Sequence, residues 1–179
     1  RMAECIAEGL RETDPTLTVK LFNSAVDDKN DIVTEVFKSK AILVGSPTIN
    51  YGFLFSIGGI MEMIRGLKFK NKKAAAFGSY GWSGEAVKQI TALLQGAGFD
   101  VVNDGLRCQW NPDQATQETC RQYGRDFAAA VNASEAKEDG VQTELGDYNN
   151  DEQIGKAAKE HFEDWEKDAR EGVKGGYAG

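Results

Sequence analysis

The sequence predicts an α/β fold, a doubly wound parallel sheet with helices on both faces. Two short continuous apolar runs, AILVGS at 41–46 and AAAFGS at 74–79, read as strands buried on both faces. Stretches of helical period stand before, between and after them, and a turn rich in small residues follows each run.

Taken in order, residues 1–12 place Met2, Ile6, Ala7 and Leu10 on one face of an amphipathic helix, and Asp14-Pro15 breaks it. LTVKLFN (17–23) alternates as a strand. Asn30 stands as the N-cap of DIVTEVFKSK, where Ile32, Val33, Val36 and Phe37 recur at helical spacing. After the strand at 41–46, FLFSIGGIMEMIRGL (53–67) forms a third helix, weakened by Gly58-Gly59. The strand at 74–79 leads into a helix over 83–95 and an interrupted strand region over 99–110. A last helix covers 113–131, with Asp113 near its start. A five-stranded sheet of this class opens with a strand, whereas this sequence opens inside a helix. It is therefore read as starting just after a first strand and its loop.

Charge divides the chain. Residues 1–132 carry 15 Lys and Arg against 15 Asp and Glu, and residues 133–179 carry 6 against 13. The expected organisation is a domain over 1–132, a polar linker over 133–150 and an acidic amphipathic helical tail over 151–179, with Ile154, Ala158, Phe162, Trp165, Ala169 and Val173 on one stripe. A neutral domain with an acidic extension excludes a nucleic-acid footprint, which needs a basic surface. No run is long enough to span a membrane, and the N-terminus lacks a secretory h-region. Cys5, Cys108 and Cys120 are an odd number of widely spaced thiols, which reads as a reduced, cytoplasmic protein without a disulfide framework or metal site.

The chemistry is expected in two loops at strand carboxyl ends, where doubly wound sheets bind ligands. One is GSPTINYGF (45–53) and the other GSYGWSG (78–84). Both combine backbone donors and hydroxyls with aromatic side chains. A flat aromatic ligand with a polar edge suits that combination, and a flavin suits it best. Either loop alone would read as an ordinary turn; two at adjacent strand ends point to a ligand.

Several segments carry a family resemblance: VGSPTIN (44–50), GLKFKNKKAAAFGSYGWSGEAVKQI (66–90), AGFD (97–100), WNPD (110–113) and CRQYGR (120–125). Together with the segments back to residue 1, the chain resembles the flavodoxin-like FMN domain of flavodiiron proteins, including flavorubredoxins, over about three-quarters of its length. The resemblance implies strand order 2-1-3-4-5, with the first strand preceding Arg1. It implies FMN held by Ser46, Pro47, Thr48, Ile49 and Asn50 of one loop and by Ser79, Tyr80, Gly81, Trp82, Ser83 and Gly84 of the other. Tyr80 and Trp82 would wall the isoalloxazine, and the helix starting near Ser83 would turn its positive end toward it. The family's Ser/Thr-rich phosphate loop would also precede Arg1, so weak FMN binding is expected of this chain alone.

The implied function is electron transfer in an oxygen or nitric oxide reductase. Electrons would come from a rubredoxin-type or NADH-linked flavin reductase donor and pass to a diiron centre in a domain absent from this sequence, within a head-to-tail homo-oligomer. No side chain is assigned acid–base catalysis, and no metal ligands are assigned. The alternatives are a stand-alone flavodoxin-like shuttle or binding module, and an NAD(P)H:quinone reductase, to which the GSYGWSG match is less suited. The LKFKNKK run reads as a solvated loop rather than a docking site for an acidic partner, Cys108 and Cys120 as packing residues and His161 as a surface residue.

Overall fold

The computed structural model describes residues 1–138. Its sheet is built on β1 (Ala41–Gly45), β2 (Lys73–Tyr80), β3 (Asp100–Val101) and β4 (Leu106–Gln109), all parallel. The helices are α1 (Met2–Thr13), α2 (Lys29–Lys38), α3 (Phe55–Leu67), α4 (Glu85–Gly96) and α5 (Gln114–Glu138). β2 lies centrally, with β1 on one side and both β3 and β4 on the other.

The two-residue period of the strands sorts the core into two layers. Ile42, Val44, Ala74, Ala76 and Val101 face α2, α3 and α4, packing against Ile32, Val33, Val36, Ile60, Ile64, Ile90 and Leu94. Ala41, Leu43, Ala75, Phe77, Leu106 and Cys108 face α1 and α5, packing against Ile6, Leu10, Cys120, Phe127 and Val131. The three consecutive alanines of β2 are fully buried, as a central strand covered on both faces requires. β1 departs from that expectation. Its five residues are half-buried because, among the described residues, it has a strand partner on one side.

The expected strand over 17–23 does not form. The segment lacks strand hydrogen bonding, although Leu17 and Val19 still pack on the second layer. A strand needs a neighbour, and among the described residues none pairs with this one; the Val19 carbonyl instead accepts from Arg11. Leu21 and Phe22 are consequently exposed.

Local chemistry shifts two boundaries. The side chain that caps α2 is Asp28, which accepts from the Asn30 N–H at 2.7 Å, so Asn30 lies inside the helix. Phe37 is 55% exposed and meets Phe69 edge-on rather than entering the core. Helix α5 runs through Asn132 to Glu138, so 133–138, expected as linker, continues the helix. The remaining tail, with its expected amphipathic stripe and His161, lies outside the described residues.

β3 and β4 act as one interrupted strand. Ala74 pairs Val101 and Phe77 pairs Leu106, so the strand holds two more residues than β2 between these pairs. An excess of two preserves the in–out alternation. The Asn103 side-chain oxygen accepts from the Gly105 N–H inside this bulge. The Tyr123 hydroxyl closes it from α5, 2.9 Å from the Ala76 carbonyl and 2.8 Å from Asn103 Oδ1. Burial pushes the Tyr123 phenol up to about 12.

α1 and α5 approach at backbone distance. A Cβ at Gly9 would stand 2.0 Å from the Arg121 carbonyl oxygen, and one at Gly124 would stand 2.2 Å from that of Ile6. Ion pairs Glu8–Arg121 and Glu12–Arg125 run along the seam. The three cysteines, distant in sequence, meet in this layer as free buried thiols. Burial, and then the neighbouring Cys5 and Cys108, push the Cys120 thiol up to about 11, which keeps it protonated and unreactive.

Within the lysine run, Lys72 is structural. Its ammonium donates to the Phe37 and Ser39 carbonyls at the end of α2 and lies 5.4 Å from the Phe69 ring centre. Lys73 pairs with Asp100, while Lys68 and Lys70 are exposed. No helix among the described residues is long and apolar enough to cross a membrane.

Candidate functional site

Three loops converge at the carboxyl edge of the sheet: residues 46–54 after β1, 81–84 after β2 and 110–113 after β4. Parallel strands deliver all three to one edge, and the helices that follow start there.

The first loop is tied by its own hydrogen bonds. Ser46, 3% exposed, accepts from the Leu54 N–H at 2.9 Å and donates to the Pro47 carbonyl at 2.8 Å, so its hydroxyl is engaged within the loop. Ile49 and Gly52 exchange two backbone hydrogen bonds of 2.9 Å, closing a hairpin over Asn50 and Tyr51. Both central residues have positive φ, 50° and 60°, the signature of a type I′ turn. The turn holds Tyr51 in the solvent, 76% exposed. Between this hairpin, Phe53, Phe55 and Gly58-Gly59 of α3 lies an open, largely apolar cleft of about 580 Å³.

Thr48 staples the first loop to the second. Its N–H donates to the Ser79 carbonyl at 2.8 Å, and its hydroxyl accepts from the Ala86 N–H at 3.3 Å. The residue at the N-cap of α4 is Gly84, which offers no side chain, so Thr48 supplies the capping oxygen across the chain. The helix begins at Glu85 rather than at Ser83. Gly84 has φ 79°, the left-handed region that favours glycine, and a Cβ there would also press on the Tyr80 ring at 3.1 Å. At the first helical position, Glu85 Oε2 is buried without a hydrogen-bond partner.

The third loop supports the second. The Trp110 N–H donates to the Tyr80 carbonyl at 2.8 Å, and the Gln109 amide donates to the Gly81 carbonyl at 3.2 Å. The Trp82 and Trp110 rings meet at 5.6 Å and 77°. Trp82 is 91% exposed, an unusual setting for an indole on so short a loop. Asp113 starts α5 by accepting from the Thr116 N–H, and the Thr116 side chain and N–H together hold its carboxyl below the usual range. Arg1, at the N-terminus of α1, donates to Gln117 near this edge.

All eleven residues expected to hold a ligand lie in the first two loops or at the strand ends feeding them. They divide by role. Ser46 and the Thr48 side chain are engaged inside the scaffold, Trp82 and Ser83 are exposed, and Tyr80 is half-buried against Gly84. Tyr51, Phe55 and Trp110 also stand exposed in this region, outside the expected set. Trp110 was legible as a member of WNPD; its contact with Trp82 depends on β4 pairing with β2, which the local sequence does not state.

Trp82 and Tyr80 offer aromatic faces here, beside the backbone N–H groups of Asn50, Gly81 and Trp82. The exposed indole is a ready stacking surface.

The flavodoxin family model matches residues 1–124. The chain is 50% identical over 127 residues to anaerobic nitric oxide reductase flavorubredoxin from Escherichia coli O1:K1, covering 71% of this chain and 26% of that protein. In structure it resembles rubredoxin oxygen:oxidoreductase from Desulfovibrio gigas, with a TM-score of 0.70 and 36% identity, covering 74% of this chain and 32% of that one. It also resembles an archaeal flavodoxin, with a TM-score of 0.64 and 30% identity, covering 73% of this chain and 88% of that one. The chain thus spans about a quarter of the length of the flavorubredoxins it matches.

Proposed function

This chain belongs to the flavodoxin family, and we propose that it binds FMN at the carboxyl edge of its sheet and serves as an electron-transfer domain. The observation that carries the reading is Trp82, 91% exposed on a loop braced from both sides. In this reading Trp82 and Tyr80 stack against the isoalloxazine, and the backbone N–H groups of Asn50, Gly81 and Trp82, which the loop's own hydrogen bonds leave over, bond its polar rim. Bound flavin supplies the capacity to take up and release electrons singly or in pairs. The protein orients the ring, excludes water from one face and sets the local charge.

The whole enzyme in this reading is a flavodiiron oxygen or nitric oxide reductase of the cytoplasm. Its donor is a rubredoxin-type or NADH-linked protein, its diiron centre is carried by another domain, and its subunits pair head to tail. The 50% identity to a flavorubredoxin supports that assignment over a flavodoxin shuttle. The shuttle reading draws on the 88% coverage of an archaeal flavodoxin.

Titration with FMN and with riboflavin, followed by quenching of flavin fluorescence, tests the site. Riboflavin carries the ring without the phosphate, so it reads the stacking loops alone. Saturable quenching by both is expected. Failure of both to bind removes the flavin assignment. Electron transfer from the bound flavin to a diiron protein, measured by stopped-flow absorbance, separates the reductase domain from a shuttle whose electrons go elsewhere.

A further inference from the structure

Trp110 is built in a way the flavin reading does not account for. It is the first residue after β4, and its φ is 59°, in the left-handed region that a bulky aromatic residue occupies only under compulsion. Contacts from β2 and β4 supply the compulsion. The Trp110 N–H reaches the Tyr80 carbonyl, and the buried Cys108 sulfur lies 3.6 Å from the Trp110 carbonyl oxygen. The six-membered edge of the indole lies on Gly81, where an added Cβ would stand 2.9 Å from the ring. From this seat the ring meets Trp82 at 5.6 Å and 77°, the edge-to-face geometry that aromatic quadrupoles favour.

An indole 91% exposed would otherwise sample its rotamers freely and lose that freedom on binding a ligand. We propose that Trp110 is a positioning residue that sets the orientation of Trp82, so that the stacking wall is formed before the ring arrives. This rests on the flavin reading of the site for its consequence, and on the Trp82–Trp110 pair for its geometry. Trp110 acts through Trp82 and not by touching the ligand. The strained backbone is the part of the design that aims the ring. An unstrained turn after β4 would direct the side chain elsewhere.

The experiment compares wild type with Trp110→Phe, Trp110→Ala, Trp82→Ala and the double alanine variant. Circular dichroism without flavin comes first, because an ordered perpendicular indole pair gives an exciton-coupled band. The band is expected in wild type and lost when either tryptophan is replaced. FMN titrations come second, with the midpoint potential of the bound flavin measured alongside. Trp110→Ala should weaken FMN binding by up to about tenfold, the worth of one aromatic pair. Trp110→Phe keeps an edge-to-face partner and should stay within about twofold of wild type. The double variant should bind no more weakly than Trp82→Ala alone.

An additive loss in the double variant would overturn the proposal, because Trp110 would then act independently of Trp82. Absence of the exciton band in wild type would overturn it too. If neither FMN nor riboflavin binds wild type, the flavin reading falls by itself, and the band still decides whether Trp110 orients Trp82. Should Trp110→Ala fail to fold, Trp110→Leu, alone and combined with Trp82→Ala, carries the same cycle, and an additive loss there overturns the proposal equally.

Discussion

Ser46 shows how one side chain positions a loop. Its hydroxyl accepts the N–H of Leu54, the N-cap residue of α3, inside a site that is 3% exposed. Ser46→Ala leaves that N–H without its partner and should destabilise the protein by about 1–3 kcal/mol in urea melts. Tyr123 offers a test by pH. Burial raises its phenol from 10.0 unfolded to about 12 in the native protein. A raised acid pKa means that the native state keeps its proton longer, so this stability is complete below pH 10 and falls as pH climbs toward 12. Cys120 acts in the same direction from 9.0 to about 11. Tyr123→Phe removes only the phenol's share. Its stability should fall less steeply than that of wild type between pH 10 and 12 when alkaline melts are compared. Parallel curves would show that the phenol does not titrate with unfolding.

Pairs of elements set the next scale, and the α1–α5 seam is its clearest case. Gly124 lies against the backbone of α1, where a Cβ would stand 2.2 Å from the Ile6 carbonyl oxygen and 3.0 Å from the Leu10 nitrogen. Neither neighbour is the flexible tip of a side chain, so Gly124→Ala must part the helices. It should cost about 1–3 kcal/mol in spite of the better helix propensity of alanine. Gly66, in α3 with nothing near its missing Cβ, is the contrast. Gly66→Ala should stabilise by about 0.5–1 kcal/mol. Thermal melts of the pair read both signs. The seam also marks what the sequence could state. The amphipathic face of α1 was legible, since Met2, Ile6, Ala7 and Leu10 are all buried, and so were the alanine strand and the two loops after β1 and β2. Those features are local in period or composition. The strand over 17–23 was misread because alternation reports a pleat and not a partner. The Asn30 cap was misread because Asp28 stood two residues earlier with an equally suitable oxygen. The contact of Trp110 with Trp82 was not legible because it depends on the register of β4 with β2.

At the scale of the molecule, β2 has strand partners on both sides while β1, among the described residues, has one on one side, and this asymmetry should govern how the protein opens. Ala74, Ala75 and Ala76 are fully buried between helices on both faces, so no local motion frees their amides. They should exchange with solvent deuterium only through global unfolding. β1 is different. The Ser46 N–H bonds to the Phe77 carbonyl, and the Lys73 N–H bonds to that of Lys40. By the period of a parallel ladder, the amides of Ile42 and Val44 turn toward β2, and those of Leu43 and Gly45 turn toward the outer edge. Among the described residues, β2 is the strand that pairs with β1. Leu43 and Gly45 should therefore exchange far faster than Ala75, with Ile42 and Val44 intermediate, in native-state exchange read by NMR. Alternation along a single five-residue strand is a demanding outcome, since fraying of β1 as a unit would make all its amides fast. Uniform protection across β1, equal to that of β2, would mean that a further segment pairs with the outer edge. The first loop of the candidate site, hung from the end of this strand, would then be held from both sides.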